Sequence, residues 1–181
     1  MMMCRQNTRR YWWRLRCLIL ACVWLSLSGC NRPAADAGTT LVPGDVFPAP
    51  VLDHVAGGND PLGPFFGKLL VLNIWATWCP PCRSEMPGLD RLSKTLDPKR
   101  FAVVGLSVDT DTLLASEFLL QHGITFTNVF DPGGKIVRPL GLKVYPETFI
   151  IAPDRSLLRR ITGQQEWDSP KMIQMLEGLY Q

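Results

Sequence analysis

The stretch LNIWATWCPPCRSEMP, residues 72–87, joins an apolar run to two cysteines, Cys79 and Cys82, that are separated by two residues. The apolar run, Lys68–Ala76 (KLLVLNIWA), is continuous and of strand length, which is typical of a strand buried on both faces. Residues 80–96 then carry apolar side chains at helical spacing. The sequence therefore predicts that the two cysteines lie where a buried strand turns into a helix.

Outside this stretch, predicted strands and helices alternate along the chain. Strands are predicted at Phe101–Val108, Phe126–Phe130, Thr148–Ile151 and Leu157–Ile161, and further helices at Leu113–His122 and Ser169–Leu179. Pro87 is expected to kink the first helix. The order βαβα followed by ββα indicates an α/β fold in which helices cover a central mixed sheet.

A helix start favours a reactive thiolate. Its unpaired N–H groups and the positive end of the helix dipole stabilise negative charge, which lowers the pKa of a cysteine there. We expect Cys79 to be the exposed attacking thiol and Cys82, one turn inside the helix, to resolve the mixed disulfide. Pro80 and Pro81 have no N–H to donate, so the donors begin at Cys82 and the pKa of Cys79 is expected to fall only moderately.

Metal binding and a static disulfide are two alternatives for this pair. A structural zinc site needs four ligands, and only His54 and His122 could join the two cysteines. His122 ends a predicted helix, which favours a capping role. A static disulfide is compatible with an oxidising compartment, and the sequence leaves it open.

The cysteine stretch, together with the distal KVYPETFII at residues 143–151, resembles the thioredoxin superfamily. The similarity is greatest to the TlpA-like branch, which includes cytochrome c maturation proteins of the CcmG and ResA kind, and it extends from Pro43 to the C-terminus. It implies a thioredoxin fold, no cofactor beyond the cysteine pair, and reduction of protein disulfides outside the cytoplasm, such as those of apocytochrome c. It also implies electrons drawn from a DsbD-type membrane reductase.

The same resemblance implies roles for residues around the pair. Pro146 matches the cis-proline that faces the disulfide and helps to seat the substrate chain. Residues expected to contact the substrate flank the cysteines or this proline: Trp78, Pro80, Pro81, Tyr145 and Glu147. Trp75 is expected in the core. For Glu147, a role in tuning the site and a simply solvated carboxylate are both open.

Glu85 matches an acidic residue that this branch places near the pair. It follows Cys82 by three residues and so lies on the same helix face. It is either a proton acceptor that tunes the thiol pKa values or a carboxylate that merely favours the first turns of a helix. General thioredoxins have a buried aspartate where this chain has Asn73, which makes Glu85 the natural substitute for that acid.

The first 29 residues are predicted to be a lipoprotein export signal. Five arginines with no acidic residue precede an eleven-residue apolar run, Cys17–Leu27. Leu27-Ser28-Gly29-Cys30 then resembles the lipobox of bacterial lipoproteins, in which the chain is cut before the cysteine and its thiol is lipidated. An uncleaved signal anchor and a twin-arginine signal are alternatives. Residues 30–42 are predicted to be a tether and residues 43–181 the domain, anchored to a bacterial membrane outside the cytoplasm; Asn31 hints at the outer membrane.

The net charge and the spacing of residues around the cysteines argue against nucleic-acid binding, thiol peroxidase activity and copper delivery. From Cys30 onward, 14 basic residues face 16 acidic ones, so the predicted mature chain has a net charge near −2 and lacks the basic character of a nucleic-acid-binding protein. A thiol peroxidase is expected to place threonine three residues before its cysteine, whereas Thr77 is two before Cys79. A copper-delivery protein is expected to separate its cysteines by three residues. The direction of the redox reaction stays open.

Overall fold

The computed structural model describes residues 40–48, 62–134 and 136–180, all of which lie within one compact unit, Ala37–Gln181. The predicted export signal and most of the predicted tether lie outside the described residues, and so do Cys30 and His54. In the described part of the chain, no helix is long and apolar enough to cross a membrane.

The order of elements follows the predicted βαβα-ββα pattern. The strands are β1 (Leu69–Trp75), β2 (Phe101–Ser107), β3 (Thr127–Phe130), β4 (Glu147–Ile151) and β5 (Leu157–Thr162). The helices are α1 (Pro80–Thr95), α2 (Thr112–Gln121) and α3 (Pro170–Leu179), and two short 3₁₀ turns, Gly63–Phe65 and Arg138–Leu140, were not predicted. The predicted elements are all present, with ends that differ by one residue or by none.

The strands form one mixed sheet in the order β3-β2-β1-β4-β5. β1 is parallel to β2, β2 is parallel to β3, and β4 runs antiparallel to both β1 and β5. β1 is central and all seven of its residues are buried, as its continuous apolar pattern predicts. Because Ile74 pairs with Glu147, the carboxyl end of β1 lies beside the segment that leads into β4.

Local sequence signals explain where the helices begin. Asp111 caps α2 by accepting a hydrogen bond from Leu113 N, and Ser169 caps α3 by accepting one from Met172 N. Proline occupies the first turn of α1 and of α3, where a missing N–H has no cost. Gly123, just past the end of α2, has φ +63°, a conformation that favours glycine.

Trp75 packs in the core, as predicted. Its side chain is fully buried, and its ring lies 5.5 Å from that of Phe118 in α2, centroid to centroid. Its Nε1 donates a 2.9 Å hydrogen bond to Asn128 Oδ1. Gly105 makes room for this pair, since a Cβ there would lie 2.0 Å from Asn128 Oδ1.

The folded region begins before the predicted domain boundary at Pro43. Leu41 is buried and belongs to the hydrophobic core, although the sequence assigned it to the tether. Thr40 lies against Gly141, whose φ of +68° and lack of a Cβ permit the approach. Asp45 O accepts a hydrogen bond from Leu157 N at 2.8 Å, which ties this segment to β5. Thr40 and Leu41, which the sequence assigned to the tether, thus contact the folded domain.

Candidate active site

The two cysteines form a disulfide bond at the start of α1. Cys79 is the N-cap residue, and its Sγ accepts a 3.3 Å hydrogen bond from Cys82 N. Cys79 is 5% exposed and Cys82 is fully buried. The prediction of an exposed Cys79 is therefore wrong for this oxidised state, because both residues pack into the core cluster. Cys79 is nevertheless the more accessible of the two.

Pro80 and Pro81 form the beginning of the active-site helix. They occupy positions at which an N–H would have no intrahelical partner. The first amide that reaches Cys79 Sγ is accordingly that of Cys82, as the sequence predicts. Pro80 is exposed and Pro81 is half-buried, so both present surface beside the disulfide.

A cis peptide bond and an aromatic pair lie next to the cysteine loop. The Tyr145–Pro146 bond is cis, and Pro146 is buried directly before β4, beside the end of β1. The rings of Trp78 and Tyr145 meet edge to face, with their centroids 5.4 Å apart. Trp78 is 61% exposed, which agrees with its predicted surface position. Desolvation by burial is the main cause that raises the pKa of the half-buried Tyr145 phenol.

Glu85 lies in the interior, one helical turn after Cys82. Only 2% of it is exposed. Its Oε1 accepts a 2.7 Å hydrogen bond from Asn73 Nδ2, and its Oε2 accepts one from Gln165 N at 3.0 Å and one from Trp167 Nε1 at 2.9 Å. The ion pairs among the described residues do not include it.

Burial raises the pKa of the Glu85 carboxyl above its ordinary value, and its three hydrogen bonds oppose the rise only in part. The alternative of a carboxylate that merely favours a helix start is wrong. α1 begins at Pro80 and has no acidic residue in its first turn, and the Glu85 side chain is inside the protein. A buried carboxylate whose pKa is raised by desolvation is a candidate for proton exchange with a neighbouring group.

Asn73 joins this acid to the sheet. Besides its bond to Glu85, Asn73 Nδ2 donates a 3.0 Å hydrogen bond to Thr148 Oγ1 in β4. Its Oδ1 is buried and has no hydrogen-bond partner among the described residues. Asn73, which stands where general thioredoxins have an aspartate, is thus in direct contact with Glu85, the acid expected to replace that aspartate.

Glu147 is neither solvated nor on the surface. It is 2% exposed, its Oε1 is paired with Arg160 Nε, and its Oε2 accepts a 2.9 Å hydrogen bond from Arg160 Nη2. The solvated alternative is therefore wrong. The predicted substrate contact receives no support from this placement, because the carboxylate is already occupied. Arg160 also donates to the carbonyls of Leu41 and Gly141, so this ion pair fastens the N-terminal segment to the sheet.

Three side chains of this region carry no sequence signal that singles them out. Trp167 and Gln165 complete the hydrogen bonding of Glu85, yet they lie 80 or more residues from it in a loop without a motif. Arg160 is one of two adjacent arginines in β5. The contacts of Gln165 and Trp167 with Glu85 depend on the loop before α3 folding back onto α1.

Among the described residues, His122 belongs to the end of α2 and not to the cysteine turn. His122 is the C-cap residue of α2; its Nδ1 lies 2.9 Å from Phe118 O and its ring stacks on that of Phe118, as its predicted capping role requires. In the described part of the chain, no group of three or more His, Cys, Asp and Glu side chains could hold a metal ion.

Comparison with known proteins places these features in a family. The model of the AhpC/TSA family matches residues 43–160. The thiol-disulfide oxidoreductase ResA of Bacillus thuringiensis is 31% identical over 115 residues, which cover 64% of this chain and 66% of that relative. This chain therefore spans slightly less than two thirds of that relative's length. ResA of Halalkalibacterium halodurans is 26% identical over 86% of this chain and 88% of its own length.

A crystal structure from Chlorobium tepidum, described as a thiol:disulfide interchange protein DsbE, superimposes with a TM-score of 0.56. It is 32% identical, and the match covers 65% of this chain and 80% of that one. The match confirms the α/β architecture predicted from the sequence.

Proposed function

This chain belongs to the AhpC/TSA family. We propose that it is an extracytoplasmic thiol-disulfide oxidoreductase that reduces disulfide bonds in protein partners. The observation that carries the proposal is the disulfide between Cys79 and Cys82 at the start of α1. The exposed Trp78 and the cis-proline segment beside it offer a surface to an incoming polypeptide. The similarity to ResA and DsbE proteins supports the same activity.

The reaction starts from the reduced cysteine pair. The Cys79 thiolate attacks one sulfur of the partner's disulfide, a mixed disulfide forms, and the other partner sulfur leaves as a thiolate. Cys82 then loses its proton and attacks Cys79 Sγ, which releases the second partner thiolate and forms the disulfide seen here. Two electrons pass from the cysteine pair to the partner, and its two thiolates are protonated by the proton released from Cys82 and by one proton from solvent. A separate dithiol donor must then reduce the pair again.

Glu85 is the group placed to handle the Cys82 proton. Both side chains are buried, and they lie one turn apart on the same face of α1. A base is needed there because the fully buried Cys82 thiol has no direct access to water. Because the pKa of Glu85 is raised, it differs less from the pKa of a thiol. Proton transfer between the two groups is therefore less costly.

A thiol peroxidase fits this site less well. Thr77 precedes Cys79 by two residues, and its hydroxyl donates a 2.7 Å hydrogen bond to Asp109 Oδ1. The one proton of that hydroxyl is therefore already used in a hydrogen bond. Copper delivery is disfavoured by the two-residue spacing of the cysteines. Oxidation of partners, the opposite direction of the same exchange, depends on the reduction potential of the pair.

The proposed location and partners rest on the N-terminal sequence and on the family. We propose that Cys30 carries lipid and holds the domain at a bacterial membrane, outside the cytoplasm. A DsbD-type membrane reductase is the proposed electron donor, and apocytochrome c before haem attachment is one proposed substrate. The basis is the arginine-rich segment, the short apolar run and the lipobox-like Leu27-Ser28-Gly29-Cys30.

Reduction of insulin by dithiothreitol tests the activity. The full-length chain, purified in a mild detergent, should accelerate the precipitation of the insulin B chain at catalytic concentrations. The matched control is the variant in which Cys79 and Cys82 are both replaced by serine, which should match the rate without protein. A wild-type chain that does no better than this control would contradict the proposed function.

A further inference from the structure

The turn that carries Trp78 to the surface is closed by a single backbone hydrogen bond, from Cys79 N to Ala76 O at 3.2 Å. Thr77 and Trp78 form its tip. The turn leads directly into the N-cap conformation of Cys79, in which Sγ meets Cys82 N. A displacement of this turn would therefore move the attacking sulfur and the exposed indole together.

One buried carboxylate holds the tip of this turn. Asp109, two residues past β2, is 4% exposed. Its Oδ1 accepts a 2.7 Å hydrogen bond from Thr77 Oγ1, and Thr77 N donates to both of its oxygens, at 3.2 and 3.0 Å. Its Oδ2 also accepts a 2.8 Å hydrogen bond from Ser107 Oγ. Thr77 and Ser107 therefore both donate hydrogen bonds to the Asp109 carboxylate.

The contacts of Asp109 consist of neutral donors. The ion pairs among the described residues use other carboxylates. Burying a carboxylate without a cation is costly, and a smaller neutral side chain could not accept from Thr77 N, Thr77 Oγ1 and Ser107 Oγ at once. The gain is a fixed geometry, because two acceptor oxygens clamp the amide and the hydroxyl of the same residue.

Taking the proposed redox function of the cysteine pair as given, we propose that Asp109 is a positioning residue for disulfide exchange. It fixes the turn at Thr77, and through this turn it sets the attack position of Cys79 and the surface position of Trp78. The motif around the cysteines does not reveal it, because Asp109 is 30 residues further along the chain and reaches the site from the neighbouring strand.

Asp90 provides a matched control for the bonding pattern. It is also buried, and its Oδ1 accepts hydrogen bonds from Thr125 N, Thr125 Oγ1 and Phe126 N. It holds the segment that enters β3, whereas the cysteines follow the carboxyl end of β1. Loss of either carboxylate removes a similar set of hydrogen bonds. Of the two carboxylates, Asp109 is the one that contacts the cysteine turn.

The test compares four variants of the full-length chain in detergent: Asp109→Ala, Asp109→Asn, Thr77→Val and Asp90→Ala. The readout is the rate at which iodoacetamide alkylates Cys79 in the reduced protein, followed by mass spectrometry, together with kcat and KM for insulin. Asp109→Ala should lower the alkylation rate and kcat/KM by about tenfold, the scale expected when a reacting group is misplaced. Asp109→Asn should recover to within about threefold of wild type, because its amide still accepts from Thr77 N and can donate to both hydroxyls.

Asp90→Ala should unfold at a lower urea concentration and yet alkylate at the wild-type rate. If Asp109→Ala does not fold, Thr77→Val decides the question with an expected loss of about threefold, since it removes only the hydroxyl bond. Wild-type alkylation of Thr77→Val and of any folded Asp109→Ala would overturn the proposal. Faster alkylation in both Asp109 variants would also overturn it, since the carboxylate would then act through its charge. Alkylation needs no disulfide substrate, so failure of the wild type to reduce insulin would contradict the proposed function without deciding the role of Asp109.

Discussion

The replacement of Glu85 by glutamine should stabilise the oxidised protein at neutral pH relative to acid pH. Desolvation raises the pKa of this carboxyl above its ordinary value of 4.5 in the folded state. Below pH 4.5 the group is protonated in both the folded and the unfolded chain, so its ionisation does not affect stability. As the pH rises from the unfolded pKa towards the raised folded pKa, the wild type loses stability, because the unfolded chain ionises first, and the loss levels off above the folded pKa.

The size of this effect follows from linkage. Each unit by which the folded pKa exceeds the unfolded one costs the wild type about 1.4 kcal/mol at high pH. The variant has no such loss. The hydrogen bonds can survive the change, since the new amide oxygen can accept from Gln165 N and Trp167 Nε1. The new amide nitrogen then faces Asn73, whose unpartnered Oδ1 can accept from it after a half-turn of the Asn73 amide.

Urea unfolding of the oxidised wild type and Glu85→Gln between pH 4 and pH 8 measures the effect. The stability of the variant minus that of the wild type should increase with pH from about 4.5 and then level off. Asp90→Asn is the matched control, because its stability minus that of the wild type should be negative and nearly constant over this pH range. The pKa of Asp90 is lowered from 3.8 to about 2, so its carboxylate stabilises the fold above pH 3.8 by at most roughly 2 kcal/mol. A difference between Glu85→Gln and wild type that does not change with pH would refute the argument from burial.

Three further predictions concern other parts of the chain. Mass spectrometry of the protein from a bacterial host should find lipid on an N-terminal Cys30, and an unmodified Cys30 or cleavage elsewhere would contradict the lipobox interpretation. Arg160→Met should destabilise the fold by about 3–5 kcal/mol in urea unfolding, because it leaves the buried Glu147 carboxylate unpaired; the double variant with Glu147→Gln should recover much of that loss, and no recovery would contradict this explanation. Trp78→Ala should change stability by less than about 0.5 kcal/mol because the indole is largely exposed; it should raise KM for insulin while sparing the reduction of a small aromatic disulfide, and equal losses for both substrates would argue against a contact with protein substrates.

Much of the fold could be predicted because its signals are local. The buried β1, the proline-containing starts of α1 and α3, and the order of the elements all depend on residues close in sequence. The match to solved structures confirms the thioredoxin-type fold that the cysteine stretch implied. The resemblance also placed the cis bond before Pro146, which periodicity alone would not have found.

The surroundings of the acidic residues could not be predicted, because they depend on contacts distant in sequence. The sequence leaves open whether Glu147 is solvated and whether Glu85 is more than a carboxylate that favours the first turns of a helix. Glu85 is buried because the loop at Gln165 and Trp167 covers it. Glu147 is buried because Arg160 reaches it across the β4–β5 pair.

The accessibility of Cys79 was overestimated for a similar reason. Its place at a helix start suggested exposure, but the disulfide draws it toward the buried Cys82 and the turn at Ala76 packs over the core. Leu41 shows the same limit of local patterns. A single leucine in a polar segment has no periodicity, yet it is buried in the core and its carbonyl accepts a hydrogen bond from Arg160.

In the proposed reaction Cys79 attacks the partner's disulfide and Cys82 resolves the mixed disulfide, and trapping of mixed disulfides distinguishes the two roles. Cys79→Ser and Cys82→Ser are each reduced, freed of reductant and incubated with a disulfide-linked peptide, and adducts are counted by mass spectrometry under non-reducing conditions. Cys82→Ser should accumulate a stable adduct at Cys79, because no second thiol is present to release it, and Cys79→Ser should form little adduct through its fully buried Cys82. A greater yield of adduct from Cys79→Ser than from Cys82→Ser would contradict the account.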